Sequence, residues 1–240
     1  MTRRIDDLQR GGLRIIQDSS AFCFGMDSVL LADFAALRPG DRVADLGAGT
    51  GVLPLLMSDN EPTANFSAFE WQAASAEMLR ESVALNGLEP RIAVYQEDYR
   101  AAAARLGHES VDAVVCNPPY GKRGGATVNE DAANALARHE SECTPADLAA
   151  AASSILRNRG RLFVVFPAAR LLELCDALRA RRLEPKRVRM VHDQACKAPY
   201  LALVEAVKNG KPALKWMPPL IVREKDGRET DEIRRIYHTV

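Results

Sequence analysis

The sequence lacks the features that mark several large classes of protein. Its five cysteines, at positions 23, 116, 143, 175 and 196, form no C-x-x-C pair and no cluster with the four histidines. This spacing favours reduced, structural thiols and gives no sign of a metal site. No apolar run approaches the roughly 18 residues of a membrane-spanning helix, and the N-terminus has no apolar signal segment. We therefore expect a cytoplasmic protein with no membrane partner and no metal.

A net charge of either sign is also lacking. Lys+Arg and Asp+Glu number 32 each, so no global charge points to nucleic acid. The hydrophobic fraction of 47% is ordinary for a folded globular protein, and there is no internal repeat or low-complexity segment. Residues 157–190 are locally basic. This stretch is either a solvated helix face or a footprint for a polyanion, with Arg187 and Arg189 as candidate RNA contacts.

Apolar strand-like segments alternate with helical patterns along most of the chain. The alternation predicts an α/β fold: a seven-stranded, mostly parallel sheet with helices on both faces. The expected strands are 42–46, 65–70, 91–95, 111–116, 161–166, 187–191 and 201–207. The expected helices are 52–58, 72–86, 99–106, 144–157 and 169–181, preceded by a short hairpin at 9–17 and a helix at 26–37. We expect one domain over 1–240, with an extension (1–38), a core (39–208) and a tail (209–240).

The first core strand ends in the glycine-rich turn DLGAGTG, from Asp45 to Gly51. Its glycines, Gly47, Gly49 and Gly51, allow a tight turn and bring a ligand against bare main chain at a helix N-terminus. The spacing G-x-G-x-G differs from the G-x-G-x-x-G of dinucleotide binders. Asp45 directly before the loop favours a ligand with a cationic group over a pyrophosphate.

Acidic residues also end the next two strands. Glu70 can accept hydrogen bonds from both hydroxyls of a ribose. Trp71 after it either covers an adenine face or fills a crevice. Asp98, followed by Tyr99, either accepts from an adenine amino group or caps the next helix, and the two roles are compatible. Because these acids follow successive strands, we expect them at the sheet edge where open α/β proteins bind ligands.

This order of loop and acids resembles the Rossmann-like, S-adenosylmethionine-dependent methyltransferases. The resemblance implies that the loop from Asp45 to Gly51 cradles the methionine part of S-adenosylmethionine. It also implies that Glu70 holds the ribose, with the adenine held by Asp98 and bordered by Trp71 and Tyr99. The expected cofactor is therefore S-adenosylmethionine.

The fourth strand is followed by Asn117, Pro118, Pro119 and Tyr120. This tetrapeptide is similar to the N-P-P-Y motif of methyltransferases that act on planar amides and amines, chiefly adenine N6 and glutamine side chains. The Asn117 side-chain oxygen and the Pro118 carbonyl would accept hydrogen bonds from such an amine and free its lone pair. Asn117 would also border the cofactor. Pro119 would keep the turn rigid, and Tyr120 would stack on a base swung out of its helix. The alternative is that the prolines only end the strand.

The N-terminal segment narrows the resemblance. Residues 13–17 and 22–32 are similar to the entry segment of the bacterial family that methylates adenine N6 next to the anticodon of a valine tRNA. The patch at 137–140 also resembles that family. The resemblance places Gly25 and Asp27 beside the cofactor and implies a tRNA (adenine-N6)-methyltransferase. Asp27 is alternatively a plain acid at a helix N-terminus.

The loop at residues 121–125 departs from the best-known members of that family, which have a further aromatic residue there. Lys122 and Arg123, with Arg138 beyond them, are candidate phosphate contacts or part of an ordinary surface loop. The stretch before Asp45 is too short for the helical domain of glutamine methyltransferases, and no segment suits a DNA-recognition domain, which favours RNA. An rRNA adenine or protein glutamine substrate, or a non-catalytic RNA-binding module, remains an alternative. We expect a monomer.

Overall fold

A nine-stranded sheet runs through the computed structural model, which describes residues 3–18, 25–118 and 144–237. In chain order the strands of the protein are β1 (Arg3–Asp7), β2 (Arg14–Asp18), β3 (Arg42–Leu46), β4 (Asn65–Phe69), β5 (Ile92–Tyr95), β6 (Val111–Cys116), β7 (Leu156–Pro167), β8 (Leu183–His192), β9 (Pro199–Lys208), β10 (Lys215–Trp216) and β11 (Leu220–Ile221). Strands β1 and β2 form a separate antiparallel hairpin. The large sheet has the order β10-β8-β9-β7-β6-β3-β4-β5, with β11 also paired to β8. Only β9 runs antiparallel to its neighbours.

Helices cover both faces of this sheet. They are α1 (Met26–Phe34), α2 (Val52–Asn60), α3 (Ala73–Leu85), α4 (Ala102–Leu106), α5 (Pro145–Ile155), α6 (Leu171–Ala180) and α7 (Asp231–Ile236), with short 3-10 turns before α4 and α6. One apolar core joins the sheet to α1, α2, α3 and α7, and a second joins it to α4, α5 and α6. The expected α/β class, with helices on both faces, is therefore confirmed.

Local sequence explains the most regular elements. All six residues of β6, VDAVVC, are buried, as expected for a central parallel strand covered on both faces. Helix α5 begins with a capping box: the Thr144 hydroxyl accepts from the Asp147 amide at 3.2 Å, and the Asp147 carboxylate accepts from the Thr144 amide at 3.0 Å. Pro145 occupies the first helical position, where no amide hydrogen is needed.

One expectation about the ends of the chain was wrong in detail. The N-terminal hairpin was expected at 9–17, but its strands lie at 3–7 and 14–18, around a turn at Gly11 and Gly12. The tail contributes two short strands, β10 and β11, that extend the sheet beside β8. Strands of two residues carry no periodic signal, so the sequence did not indicate them.

The hairpin is attached to helix α3 through side chains. Asn86, at the C-cap of α3, accepts from the Arg14 amide at 2.9 Å and donates to the Arg14 carbonyl at 2.6 Å. The Ser82 hydroxyl accepts from the Ile16 amide at 2.9 Å. Helix side chains thus satisfy backbone groups of β2 that would otherwise form an open strand edge.

We expect Asn86→Ala to loosen the hairpin while the core stays folded. Exchange of the Arg14 amide hydrogen should accelerate roughly fivefold, because the loss of one hydrogen bond lowers the free energy of local opening by about 1 kcal/mol. Hydrogen exchange read by NMR or mass spectrometry measures this. Asn60→Ala is the matched control, since Asn60 donates to the Ala32 carbonyl between α2 and α1. Equal exchange in the two variants would contradict the attachment.

Candidate active site

The glycine-rich loop joins β3 to α2 at the carboxyl edge of the sheet. Its amides at Gly47 and Ala48 both donate to the Phe69 carbonyl, at 3.0 and 2.9 Å, which ties the loop to the end of β4. Gly51 has φ +96°, and a Cβ there would overlap Leu79 Cδ1 of α3. Only glycine therefore fits at this position, where the loop must turn against a packed helix.

Glu70 fastens the other side of the loop. One carboxylate oxygen accepts from the Gly49 amide at 2.8 Å and the other from the Gln72 amide at 2.7 Å. These two bonds hold the carboxylate directly beside the glycine-rich loop. The side chain is largely buried, while Trp71 beside it is 55% exposed.

Asp45 is the most unusual side chain of the site. It is fully buried, and neither carboxylate oxygen has a hydrogen-bond partner among the described residues. Burial, and secondarily the charge of Glu70, raises the pKa of Asp45 well above its usual value. An unpartnered buried carboxylate is costly, and a cationic ligand group would satisfy it.

Asn117 and Pro118 directly follow β6 at the same edge. Strands β3 and β6 are paired in parallel, with Asp45 opposite Val115. The Cys116 thiol donates to the Leu46 carbonyl at 2.9 Å, which joins the two strand ends. The structure therefore brings Asn117 and Pro118 to the same edge as the predicted cofactor loop. Pro119 and Tyr120 lie outside the described residues.

Helix α1 closes the site from the N-terminal side. The Asn117 side-chain amide donates to the Ser28 hydroxyl at 2.9 Å. Gly25 precedes the helix, and Asp27 lies in its first turn, where burial raises its pKa. Burial, with a smaller contribution from Asp27, also raises the pKa of Tyr200. Sequence reasoning gave Ser28 no role, and only the location of α1 reveals its contact with Asn117.

Asp98 and Tyr99 have internal roles in the structure. Asp98 caps the 3-10 turn through the Arg100 amide at 2.8 Å and also binds the Arg100 guanidinium at 2.6 and 2.9 Å. The capping interpretation is thus confirmed. Tyr99 is buried within the second core. Contacts of these two residues and of Trp71 with a cofactor stay predictions.

Arg187 and Arg189 are bound to internal partners. Arg187 donates to Glu205 at 2.7 Å and to the Phe34 carbonyl at 2.9 Å. Arg189 donates to both oxygens of Glu232 at 2.8 Å. These contacts favour a structural role that joins β8 to its neighbours, and RNA binding by either residue stays a prediction. Lys122, Arg123 and Arg138 lie outside the described residues.

Within the parts of the chain that the structure describes, no three His, Cys, Asp or Glu residues are grouped so that they could hold a metal ion. No helix in those same parts is both long and apolar enough to cross a membrane.

Comparison with known proteins now identifies the family. Residues 13–181 match the family model described as "Methyltransferase small domain". The chain belongs to this methyltransferase family. A relative from Tolumonas auensis, named tRNA1(Val) (adenine(37)-N6)-methyltransferase, is 30% identical over 91% of this chain and 89% of its own length. A relative of the same name from Porphyromonas gingivalis is 29% identical over 80% of this chain and 76% of its own length.

A solved structure supports the fold. A protein of Agrobacterium tumefaciens, described as a predicted O-methyltransferase, superimposes with a TM-score of 0.73 at 24% identity, covering 89% of this chain and 96% of its own. The Rossmann-like fold, the family resemblance and the assignment as a methyltransferase are therefore confirmed.

Asp45→Asn tests the buried carboxylate. Since folding raises the pKa of Asp45, the folded protein keeps its proton longer than the unfolded chain, and stability falls as pH rises from about 4 through the folded pKa. The neutral amide should remove this fall and raise the free energy of unfolding by roughly 1–3 kcal/mol at alkaline pH. Urea denaturation across a pH series measures both effects.

Asp112→Asn is the control, because that buried carboxylate is paired with Arg42 at 3.4 Å and Arg157 at 2.7 Å. Its substitution should destabilise the protein. A loss of stability for Asp45→Asn at alkaline pH would contradict the unpartnered state of Asp45.

Proposed function

We propose that the protein transfers a methyl group from S-adenosylmethionine to the exocyclic N6 of an adenine in tRNA. The proposed target is position 37, next to the anticodon of a valine tRNA, and methylation would take place in the cytoplasm. One observation carries the proposal: Asn117 and Pro118 directly follow β6, the strand paired with β3, whose end opens into the glycine-rich loop. The names of the relatives from Tolumonas auensis and Porphyromonas gingivalis support the substrate.

The residues of the loop suit S-adenosylmethionine. Neither buried oxygen of Asp45 has a hydrogen-bond partner among the described residues, and both would accept from the cationic amino group of the methionine part. A Cβ built at Gly47 or Gly49 would meet no atom within 4 Å, so open space lies beside the loop. Glu70 would accept from the ribose hydroxyls. When bound, this cofactor supplies a methyl group on a positively charged sulfur.

The chain would activate the amine through hydrogen-bond acceptors. The nitrogen of an exocyclic amine is a poor nucleophile because its lone pair is delocalised into the ring. The Asn117 Oδ1 and the Pro118 carbonyl would accept from the two N–H bonds and favour a pyramidal nitrogen with an available lone pair. Tyr120 would hold the base by stacking. As the nitrogen bonds to the methyl carbon, the bond from that carbon to sulfur breaks, and the positively charged nitrogen then loses one proton to water. No strong general base is required because this nitrogen is strongly acidic, and positioning and preorganised acceptors supply the catalysis.

The tRNA would be held by contacts outside the reacting pocket. Lys122 and Arg123 follow the motif directly in the sequence, and Arg138 lies further along the same segment. Cationic side chains beside a target base bind phosphates and fix the register of the nucleic acid. We propose the same role for these three residues.

Asn117→Ala should abolish methylation while binding of S-adenosylmethionine is nearly unchanged. Loss of one preorganised polar contact to the reacting group costs about 100-fold or more in kcat. The assay uses labelled S-adenosylmethionine with total tRNA, rRNA or a release factor, followed by mass spectrometry of tRNA nucleosides for N6-methyladenosine. Asn65→Ala, at the opposite edge of the sheet, is the matched control. Label in rRNA or protein but not in tRNA would refute the proposed substrate.

Lys122→Ala combined with Arg123→Ala should weaken tRNA binding and reduce its salt dependence. Each lost phosphate contact lowers the slope of log K against log salt by about 0.7–0.9. Filter binding over a salt series measures the slope. Arg3→Ala provides the comparison, because Arg3 pairs with Glu77 and Glu81 on α3, and it should leave the slope unchanged. An unchanged slope for the double variant would assign the segment to an ordinary surface loop.

A further inference from the structure

Ser28 is a buried polar residue that the reaction described above does not use. It lies in the first turn of α1 and is 5% exposed. Asn117 donates from Nδ2 to its hydroxyl at 2.9 Å, across 89 positions of sequence. A buried hydroxyl normally has a hydrogen-bond partner. Here the partner is Asn117, the side chain proposed to accept a hydrogen bond from the target amine.

The Ser28 hydroxyl is held in a fixed place. Leu31 and Ala32 lie three and four residues further along α1, on the same side of the helix, and both are fully buried in the first core. A well-packed core leaves a helix little freedom to rotate or slide. Ser28 therefore presents its oxygen to the end of β6 from a rigid element.

The orientation of the Asn117 carboxamide matters for the proposed reaction. A carboxamide carries an acceptor oxygen and a donor nitrogen on one planar group, and a half-turn about its last bond exchanges them. With Oδ1 towards the target, the side chain accepts an amine N–H. With Nδ2 towards the target, two donors face one another and activation fails.

We propose that Ser28 is a positioning residue that anchors the Asn117 carboxamide at Nδ2, so that Oδ1 is placed to accept from the target amine. The bond between Nδ2 and the hydroxyl restricts rotation of the carboxamide about its last bond and fixes the group to α1. The role rests on the proposed function, since it assigns Asn117 the acceptor task. Ser28 itself would touch neither substrate nor cofactor.

Ser28→Ala should lower kcat about tenfold, with the KM for tRNA and the Kd for S-adenosylmethionine nearly unchanged and the Tm lowered no further than in Ser58→Ala. Ser28→Thr retains the hydroxyl and should restore most of kcat. Ser58→Ala is the matched control: Ser58 is an equally buried helical serine, bound to the Leu55 carbonyl at 2.7 Å, and its substitution should leave kcat unchanged.

A second measurement detects the hydrogen bond between Asn117 and Ser28 in the absence of methyl transfer. With 15N-labelled asparagine, the Asn117 carboxamide signal is identified by its loss in Asn117→Ala. In the wild type its hydrogens should exchange slowly with solvent, and in Ser28→Ala faster by roughly fivefold or more. Ser58→Ala should leave the exchange unchanged.

The outcomes separate this inference from the proposed function. Wild-type protein that methylates no tRNA refutes the proposed function, while the NMR exchange still tests the bond between Ser28 and Asn117. Active wild-type protein with unchanged kcat in Ser28→Ala overturns the positioning role. So does unchanged carboxamide exchange, and so does a fall in kcat that Ser58→Ala shows to the same extent.

Discussion

The site depends on one constraint of the sheet: its strand order reverses between β3 and β6. The helix after β3 packs in the first core, whereas α5, which precedes β7, packs in the second. Connections that leave neighbouring strands towards opposite faces open a crevice at their carboxyl ends. Asp45 and Asn117 belong to these two strand ends, and the bond from Cys116 to the Leu46 carbonyl fixes their spacing.

The loop at this crevice combines a backbone shape that glycine adopts readily with a costly buried carboxylate. Gly47, Gly49 and Gly51 all have positive φ, and Asp45 is buried without a hydrogen-bond partner among the described residues. Such features persist only when the surrounding structure stabilises them. Here the stabilisation comes from fully buried parallel strands and from the two bonds of Glu70 to backbone amides. A ligand with a positive charge would offset the free-energy cost of burying the Asp45 carboxylate.

Sequence patterns predicted the features that depend on residues near one another in the chain. The bounds of β3 and β6 agreed with the structure because buried parallel strands are continuous apolar runs bounded by turns. The rule that ligands bind at strand ends placed Asp45, Glu70 and Asn117 together. The pairing of Arg189 with Glu232 spans 43 positions and depends on where α7 docks, which no local pattern indicates. The contact between Ser28 and Asn117 was missed for the same reason.

An amide at position 117 suits an edge that already holds two carboxylates. Burial and the charge of Glu70 both raise the pKa of Asp45, so a third carboxylate close by would add further repulsion. Asparagine offers an acceptor oxygen without a charge. Its disadvantage is that oxygen and nitrogen can exchange places, whereas the two oxygens of an aspartate are equivalent. A neutral acceptor of this kind benefits from a second group that restrains its movement, and the proposed role of Ser28 would account for a buried hydroxyl on the otherwise apolar inner side of α1.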